Sequence, residues 1–269
     1  MNDAWKEFLD EITDPDTIKV GGLESKKTLN PIFWENQNRL NDDIANRLYK
    51  IAKNFFKNLG LDWSKVKDIT MTGSLANFNW SEYSDIDLHI LVDLSDFGED
   101  EEVLKDYFRG ASSMWNKAHD IRIKGHEVEI YIQDYKEPHH STGVYSIKDD
   151  KWDTRPSRYT AKIDYKNVQK KAAKLMDEID EVYEMYAHKD YKCAHNEAER
   201  LKERIRNFRQ AGLEKGGAYS VENLAFKVLR RNEYLQKLSS LKILAYDKLM
   251  SLNGDFGGET YKVVIKDVD

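Results

Sequence analysis

An apolar run through Ile69 and Met71 breaks at Thr72-Gly73-Ser74, and ten residues later a second apolar run is interrupted by two aspartates, Asp85 and Asp87. The second run alternates strictly. Asp85, Asp87 and His89 fall on one face, and Ile86, Leu88 and Ile90 fall on the other, as the two-residue period of a strand requires. A strand therefore aims two carboxylates the same way, about 7 Å apart by strand rise. Carboxylates side by side on a half-buried surface repel each other, and the usual remedy is a hard divalent cation held together with substrate phosphate. Gly73 has no side chain, so a phosphate can approach its backbone closely, and Ser74 adds a hydroxyl donor. The alternative is a plain turn followed by aspartates that face solvent on an edge strand.

Gly73-Ser74, a spacer of about ten residues, and Asp85-Ile86-Asp87-Leu88 together resemble the motif of the DNA polymerase β-like nucleotidyltransferase superfamily. The wider stretch, Thr72 to Asn77, Asn79-Trp80-Ser81 and Ser84 to His89, resembles nucleotidyltransferases of tailed phages. The resemblance covers roughly residues 30 to 160. It implies an α+β fold, with a palm-like mixed-sheet domain followed by helices. It also implies a third carboxylate on a neighbouring strand. In the run from Ile121 to Ile132, Val128, Ile130 and Ile132 alternate with Glu127, Glu129 and Tyr131. Both glutamates share a face. Glu129 is preferred because it lies deeper in the apolar stretch, whereas Glu127 follows the Gly125-His126 turn, and Glu127 stays open as the alternative. A glutamate here departs from the aspartate that is commoner in the superfamily.

The chain of 269 residues, 40% hydrophobic and 33% charged, can build one large or two modest cores. Its formal charge of −6 argues against a surface that binds duplex DNA broadly, though not against a local basic groove. One cysteine, Cys193, excludes an internal disulfide framework and fits a reducing cytoplasm, that of the host if the chain is phage-encoded. The first residues show neither a basic segment nor an apolar core of a secretory signal, and no membrane span is expected. His139-His140 and Cys193-x-His195 lack further partners at zinc-ligand spacing.

The periodicities divide the chain into an N-terminal helix and strap (1–30), a nucleotidyltransferase domain (31–160) and a helical domain with a short tail (161–269). Trp5, Phe8, Leu9 and Ile12 suggest the first helix. Asn41 caps a second helix carrying Ile44, Leu48, Ile51, Phe55 and Leu59. Val103, Tyr107, Ala111, Met114 and Ala118 propose the buried face of a third, and residues 143–153 read as a hairpin. Two long helices follow, one through Val168 to Tyr186 and one through Ala194 to Phe208 that stops at Gly212. Ser220 caps a last one running through Leu224 and Leu241 toward Asn253. Tyr261 to Ile265 suggests a short strand.

The functional expectation is transfer of a nucleoside monophosphate from a nucleoside triphosphate, ATP expected, to a hydroxyl acceptor, with release of pyrophosphate. Asp85, Asp87 and Glu129 would be catalytic and hold two Mg²⁺ (or Mn²⁺) ions, and Gly73 and Ser74 would hold the triphosphate. Lys202, Arg206 and Arg209 recur at spacings of four and three on one helix, Lys227, Arg230 and Arg231 sit early in the next, and the two sets form either a solvated face or a basic wall over the phosphates, with Lys202, Arg206, Lys227 and Arg230 the candidate contacts. The acceptor stays open among an RNA end, a protein, a second nucleotide and a small molecule. The competing class is a non-catalytic nucleotide-sensing or antitoxin-like interaction module on the same fold.

Overall fold

The computed structural model describes residues 15–139, 141–159 and 161–252. The helix expected around Trp5, the strand expected at Tyr261–Ile265 and the side chain of His140 lie outside the described residues.

A six-stranded mixed sheet and four C-terminal helices form an α+β fold. The strands are β3 (Val66–Thr72), β4 (Ile86–Val92), β5 (Arg122–Ile123), β6 (His126–Asp134), β7 (Val144–Ser146) and β8 (Lys151–Thr154), after a small hairpin of β1 (Trp34–Glu35) and β2 (Arg39–Leu40). The spatial order is β5-β6-β4-β3-β7-β8. β4 and β6 are parallel and the other pairs antiparallel. The parallel pair is joined by a crossover helix, α2 (Glu101–Ala118), as a parallel connection demands.

One core spans the sheet and α1 (Asp42–Asn58). Asn41 caps α1 by accepting from the backbone N–H groups of Asp43 (3.1 Å) and Ile44 (3.4 Å), and the helix buries Ile44, Leu48, Ile51, Phe55 and Phe56. The other face of β4 follows the expected alternation, with Ile86, Leu88 and Ile90 buried. β6 has a free edge beyond its short pairing with β5. Asn116 of α2 covers it with a side-chain amide pair, accepting from the Ile130 N–H (3.0 Å) and donating to the Ile130 carbonyl (3.1 Å).

A second core gathers α3 (Tyr165–Ala187), α4 (Tyr191–Gly216), α5 (Val221–Arg231) and α6 (Tyr234–Met250), with Ile18 and Leu23 of the strap packed into it. The strap also braces the loop after β3. The Lys26 N–H donates to the Phe78 carbonyl (2.7 Å) and the Trp80 indole donates to the Thr28 carbonyl (2.9 Å).

Three expectations are corrected. α2 forms, but it is turned by one residue, about 100° about its axis, from the expected face. Leu104, Phe108 and Ser112 are buried, whereas Val103 (63%), Tyr107 (49%) and Met114 (74%) are exposed. The sequence offers two apolar stripes one residue apart, and the sheet takes the one with Phe108. Gly212 does not stop α4. It sits inside the helix, where a Cβ would lie 2.4 Å from Cβ of Glu222 and 2.8 Å from Oγ of Ser220, so the glycine serves close packing of the following turn. The last helix is two helices, broken at Asn232-Glu233, where Glu233 takes φ +59°. No helix among the described residues is long and apolar enough to cross a membrane.

Candidate active site

The turn after β3 is held from several sides. Gly73 takes φ +74°, and its N–H donates to Oγ of Ser141 (3.3 Å) on the β6–β7 connection. The Asn77 amide donates to the Gly73 carbonyl (3.0 Å) and to Ser141 Oγ (3.3 Å). Ser74 Oγ bonds Ser84 Oγ (2.8 Å), which also accepts from the Ser81 N–H (2.9 Å). The residue that enters the aspartate strand thus grips the residue that leaves the glycine turn. Glycine is required because a Cβ at position 73 would stand 1.7 Å from Oδ2 of Asp87.

Strand register gathers the carboxylates. Asp87 is the Cα partner of Thr72 on one side and of Glu129 on the other. Asp85 lies one step before β4, on the same face. Burial raises the pKa of Asp85, opposed by the Arg230 guanidinium. Asp87 is pushed up to about 7, first by burial and then by the charges of Glu129 and Asp85. Glu127 sits at the rim, 3.9 Å from Arg122, its register partner on β5.

The helical lobe brings three cations to this cleft. Arg230 pairs with Asp85 at 2.6 Å. Lys227 donates to the Asn79 carbonyl in the loop after the glycine turn (3.4 Å), and desolvation together with Arg230, Arg231 and Arg209 pushes its pKa down to about 8. The Arg209 guanidinium lies 4.3 Å from the centre of the Phe226 ring, and its charge bears on Asp87. Lys202 and Arg206 are elsewhere. They line a groove of about 480 Å³ along α4, with Arg209 at one end.

Sequence reasoning passed over two groups. The Tyr131 hydroxyl donates to Oε2 of Glu129, and burial beside that carboxylate pushes the phenol pKa well up. Tyr131 shares the face of Glu129 by simple alternation, so the signal was present. Ser141 gives no such signal, since it lies 68 residues from Gly73 in a loop. His89 continues the aspartate face, but its Nδ1 is paired with Oε1 of Gln133 (3.0 Å) and burial pushes its pKa down to about 4, so it is a neutral structural ring.

Among the described residues, no three His, Cys, Asp or Glu side chains converge as a ready cation cage. Arg230 engages Asp85 and Tyr131 engages Glu129 instead. The donor set nevertheless suits a hard divalent ion. Asp85, Asp87 and Glu129 share one face of the β4–β6 pair, with Asp87 opposite Glu129, and carboxylate oxygens are the ligands such an ion prefers.

Residues 50–151 match the family described as Nucleotidyltransferase domain. Among solved structures, a STING-associated CdnE c-di-GMP synthase from Capnocytophaga granulosa is similar at 15% identity, with 91% of this chain and 97% of that chain covered. Its TM-score of 0.22 is too low for the likeness to carry an argument. No curated protein matches.

Proposed function

The chain carries a polymerase β-like nucleotidyltransferase domain over residues 50–151, and from that premise we propose that it moves a nucleoside monophosphate from a nucleoside triphosphate, ATP expected, to a hydroxyl acceptor. The observation that supports this most is the meeting of Asp85, Asp87 and Glu129 beside a glycine turn, faced by Arg209, Lys227 and Arg230. Asp85, Asp87 and Glu129 would hold divalent metal, two Mg²⁺ or Mn²⁺ ions, which supplies charge neutralisation of the triphosphate and a lowered pKa for the acceptor hydroxyl. The Gly73 backbone and Ser74 hydroxyl hold the β- and γ-phosphates. Arg230, paired with Asp85, would present its remaining N–H donors to the triphosphate. Lys227 charges fully against phosphate. The acceptor oxygen bonds to the α-phosphorus, the bond from that phosphorus to the β-phosphate oxygen breaks, and pyrophosphate leaves with the electron pair. Glu129, its carboxylate oriented by Tyr131, either completes the acceptor-side metal site or takes the hydroxyl proton as base.

Incubating the purified protein with each labelled triphosphate and Mg²⁺ should yield pyrophosphate and a labelled product. Triphosphate and metal together should raise stability by about 2.7 kcal/mol at a hundredfold excess over Kd, seen as a higher Tm. Equal stabilisation in chelator and in Mg²⁺ would remove the metal from the reading. Stabilisation by both without any pyrophosphate would favour a nucleotide-sensing module, a second reading that the closed Arg230–Asp85 ion pair supports.

The two glutamates should separate in kinetics. Glu129→Gln should reduce kcat by on the order of 10²-fold or more with triphosphate affinity nearly unchanged, since its role lies in the chemical step. Glu127→Gln, at the rim beside Arg122, should be mild in both. The opposite ranking would transfer the third-carboxylate role to Glu127.

A further inference from the structure

The connection between β6 and β7 meets the glycine turn backbone to backbone. A Cβ at Gly143 would stand 2.1 Å from the Ala76 carbonyl oxygen, so only a glycine lets the two loops touch there. Polar atoms then stitch them. Ser141 Oγ accepts from the Gly73 N–H (3.3 Å), the Asn77 amide (3.3 Å) and the Gly143 N–H (3.4 Å), and it donates to the Gly143 carbonyl (2.9 Å). The same Asn77 amide donates to the Gly73 carbonyl (3.0 Å), and Asn77 Oδ1 accepts from the Thr142 hydroxyl (2.8 Å). The N–H and the C=O of residue 73 are thus both held by one net that closes through Ser141 and Asn77. Glycine has the freest backbone of any residue, so its orientation comes from its partners. A hydroxyl has one proton and two lone pairs. In Ser141 the proton goes to Gly143 and the lone pairs to N–H donors, which leaves nothing to offer a substrate.

We propose that Ser141 is a positioning residue for the donor triphosphate: it touches no substrate, and it sets the direction of the Gly73 peptide on which the phosphates rest. The proposal deepens the nucleotidyl-transfer reading and rests on it. What separates Ser141 from a plain stitch between loops is the place where the net closes. It grips the residue that borders the Asp87 carboxylate, since a Cβ at Gly73 would stand 1.7 Å from Oδ2 of Asp87. The next residue is anchored separately, through the bond between the Ser74 and Ser84 hydroxyls (2.8 Å). Removing the Ser141 hydroxyl therefore leaves the anchors at Ser74 and Asn77 and takes away the one on the Gly73 N–H. The turn loosens at the phosphate-facing peptide without collapsing. Nothing is added against Asp87, so the aspartate stays where it is. Loss of Ser141 and crowding at Gly73 are then opposite faults, one in donor binding and one in the chemical step.

The test uses the full chain in Mg²⁺. Titration calorimetry gives the affinity for α,β-methylene-ATP, which fills the donor site without transfer, and pyrophosphate release gives the triphosphate KM and kcat. Ser141→Ala should weaken the analogue by about fivefold to tenfold, the worth of one hydrogen bond, and raise KM by a similar factor while kcat stays within about threefold. Thr142→Ala, which reaches the turn only through Asn77, should weaken the analogue by about twofold to threefold. The double variant should lose less than the product of the two, because both act through one net. Gly60→Ala, at a turn where the added atom meets nothing within 4 Å, should keep the parent's affinity and so shows what lost stability alone does. Ser141→Ala that binds like the parent, or that loses kcat as much as affinity, would overturn the proposal. Should Ser141→Ala fail to fold, Thr142→Ala with the parent's affinity would overturn it in its place. A parent chain that does not bind the analogue in Mg²⁺ brings down the nucleotidyl-transfer reading and this proposal together, whereas equal binding by parent and Ser141→Ala brings down the proposal alone.

Discussion

Asp87→Asn should lower nucleotidyl transfer by on the order of 10³-fold or more while making the metal-free protein more stable above neutral pH. The activity loss follows from position. Asp87 is flanked in the sheet by Thr72 and Glu129 and its carboxylate reaches the space above Gly73, so the amide removes the charge nearest the glycine turn. The stability gain follows from the raised pKa. In the fold, burial and the charges of Glu129 and Asp85 carry the Asp87 carboxyl from 3.8 to about 7. An acid whose folded pKa lies above its unfolded pKa imposes no penalty below 3.8, and the penalty grows as pH rises from there through about 7. The amide cannot ionise, so it escapes the penalty. In chelator at pH 8, Asp87→Asn should exceed the parent by on the order of 1–2 kcal/mol after allowance for solvent screening, and the two should converge near pH 4. Urea melts across that pH range measure the difference. A variant that is less stable than the parent at pH 8, or that keeps turnover, would contradict the crowded-carboxylate account.

The parts of the fold that were legible in the sequence are those where one local signal has one solution. Asn41 followed by Ile44, Leu48 and Ile51 admits only one helix start, and α1 begins there. The alternation from Asp85 to Ile90 admits only one pair of faces, and the structure buries the isoleucine side. α2 was ambiguous because Val103-Tyr107 and Leu104-Phe108 both satisfy the four-residue spacing, and only contact with the sheet decides between them. The break at Asn232-Glu233 carries no proline or glycine to announce it. Gly212 announces a stop that does not occur, because a glycine can serve packing as readily as termination.

The site divides along the same line. Gly73-Ser74 and Asp85-x-Asp87 lie close in sequence, on neighbouring strands, so a motif captures them. Arg230 reaches Asp85 across 145 residues, and Lys227 reaches Asn79 across 148. Helical spacing in the sequence marks those cations as a set but cannot say which face the sheet. It groups Lys202, Arg206 and Arg209 alike, whereas the structure gives the first two to the groove and turns the third between groove and cleft.

Gly73→Ala should damage both fold and function, and the damage is separable from that of an ordinary glycine replacement. Two costs combine. At φ +74° any L side chain is strained, by about 1–2 kcal/mol. The new Cβ would also stand 1.7 Å from Oδ2 and 2.7 Å from Cγ of Asp87, so the carboxylate must move. Overpacking of this kind adds about 1–3 kcal/mol. Gly60 and Gly98 share the backbone conformation, both at φ +71°, with nothing within 4 Å of the added atom. Gly60→Ala and Gly98→Ala should therefore lose only the conformational part of the stability and keep full activity. Gly73→Ala should lose more stability than either, and its turnover should fall by about 10²-fold or more, since displacing a reacting group by about 1 Å is enough for that. Denaturant midpoints for the three variants, with turnover measured well below each midpoint, distinguish misplacement of Asp87 from partial unfolding. If Gly73→Ala turned over like Gly60→Ala, the contact between the glycine turn and Asp87 would have no part in catalysis, and the phosphate site would have to lie away from that turn.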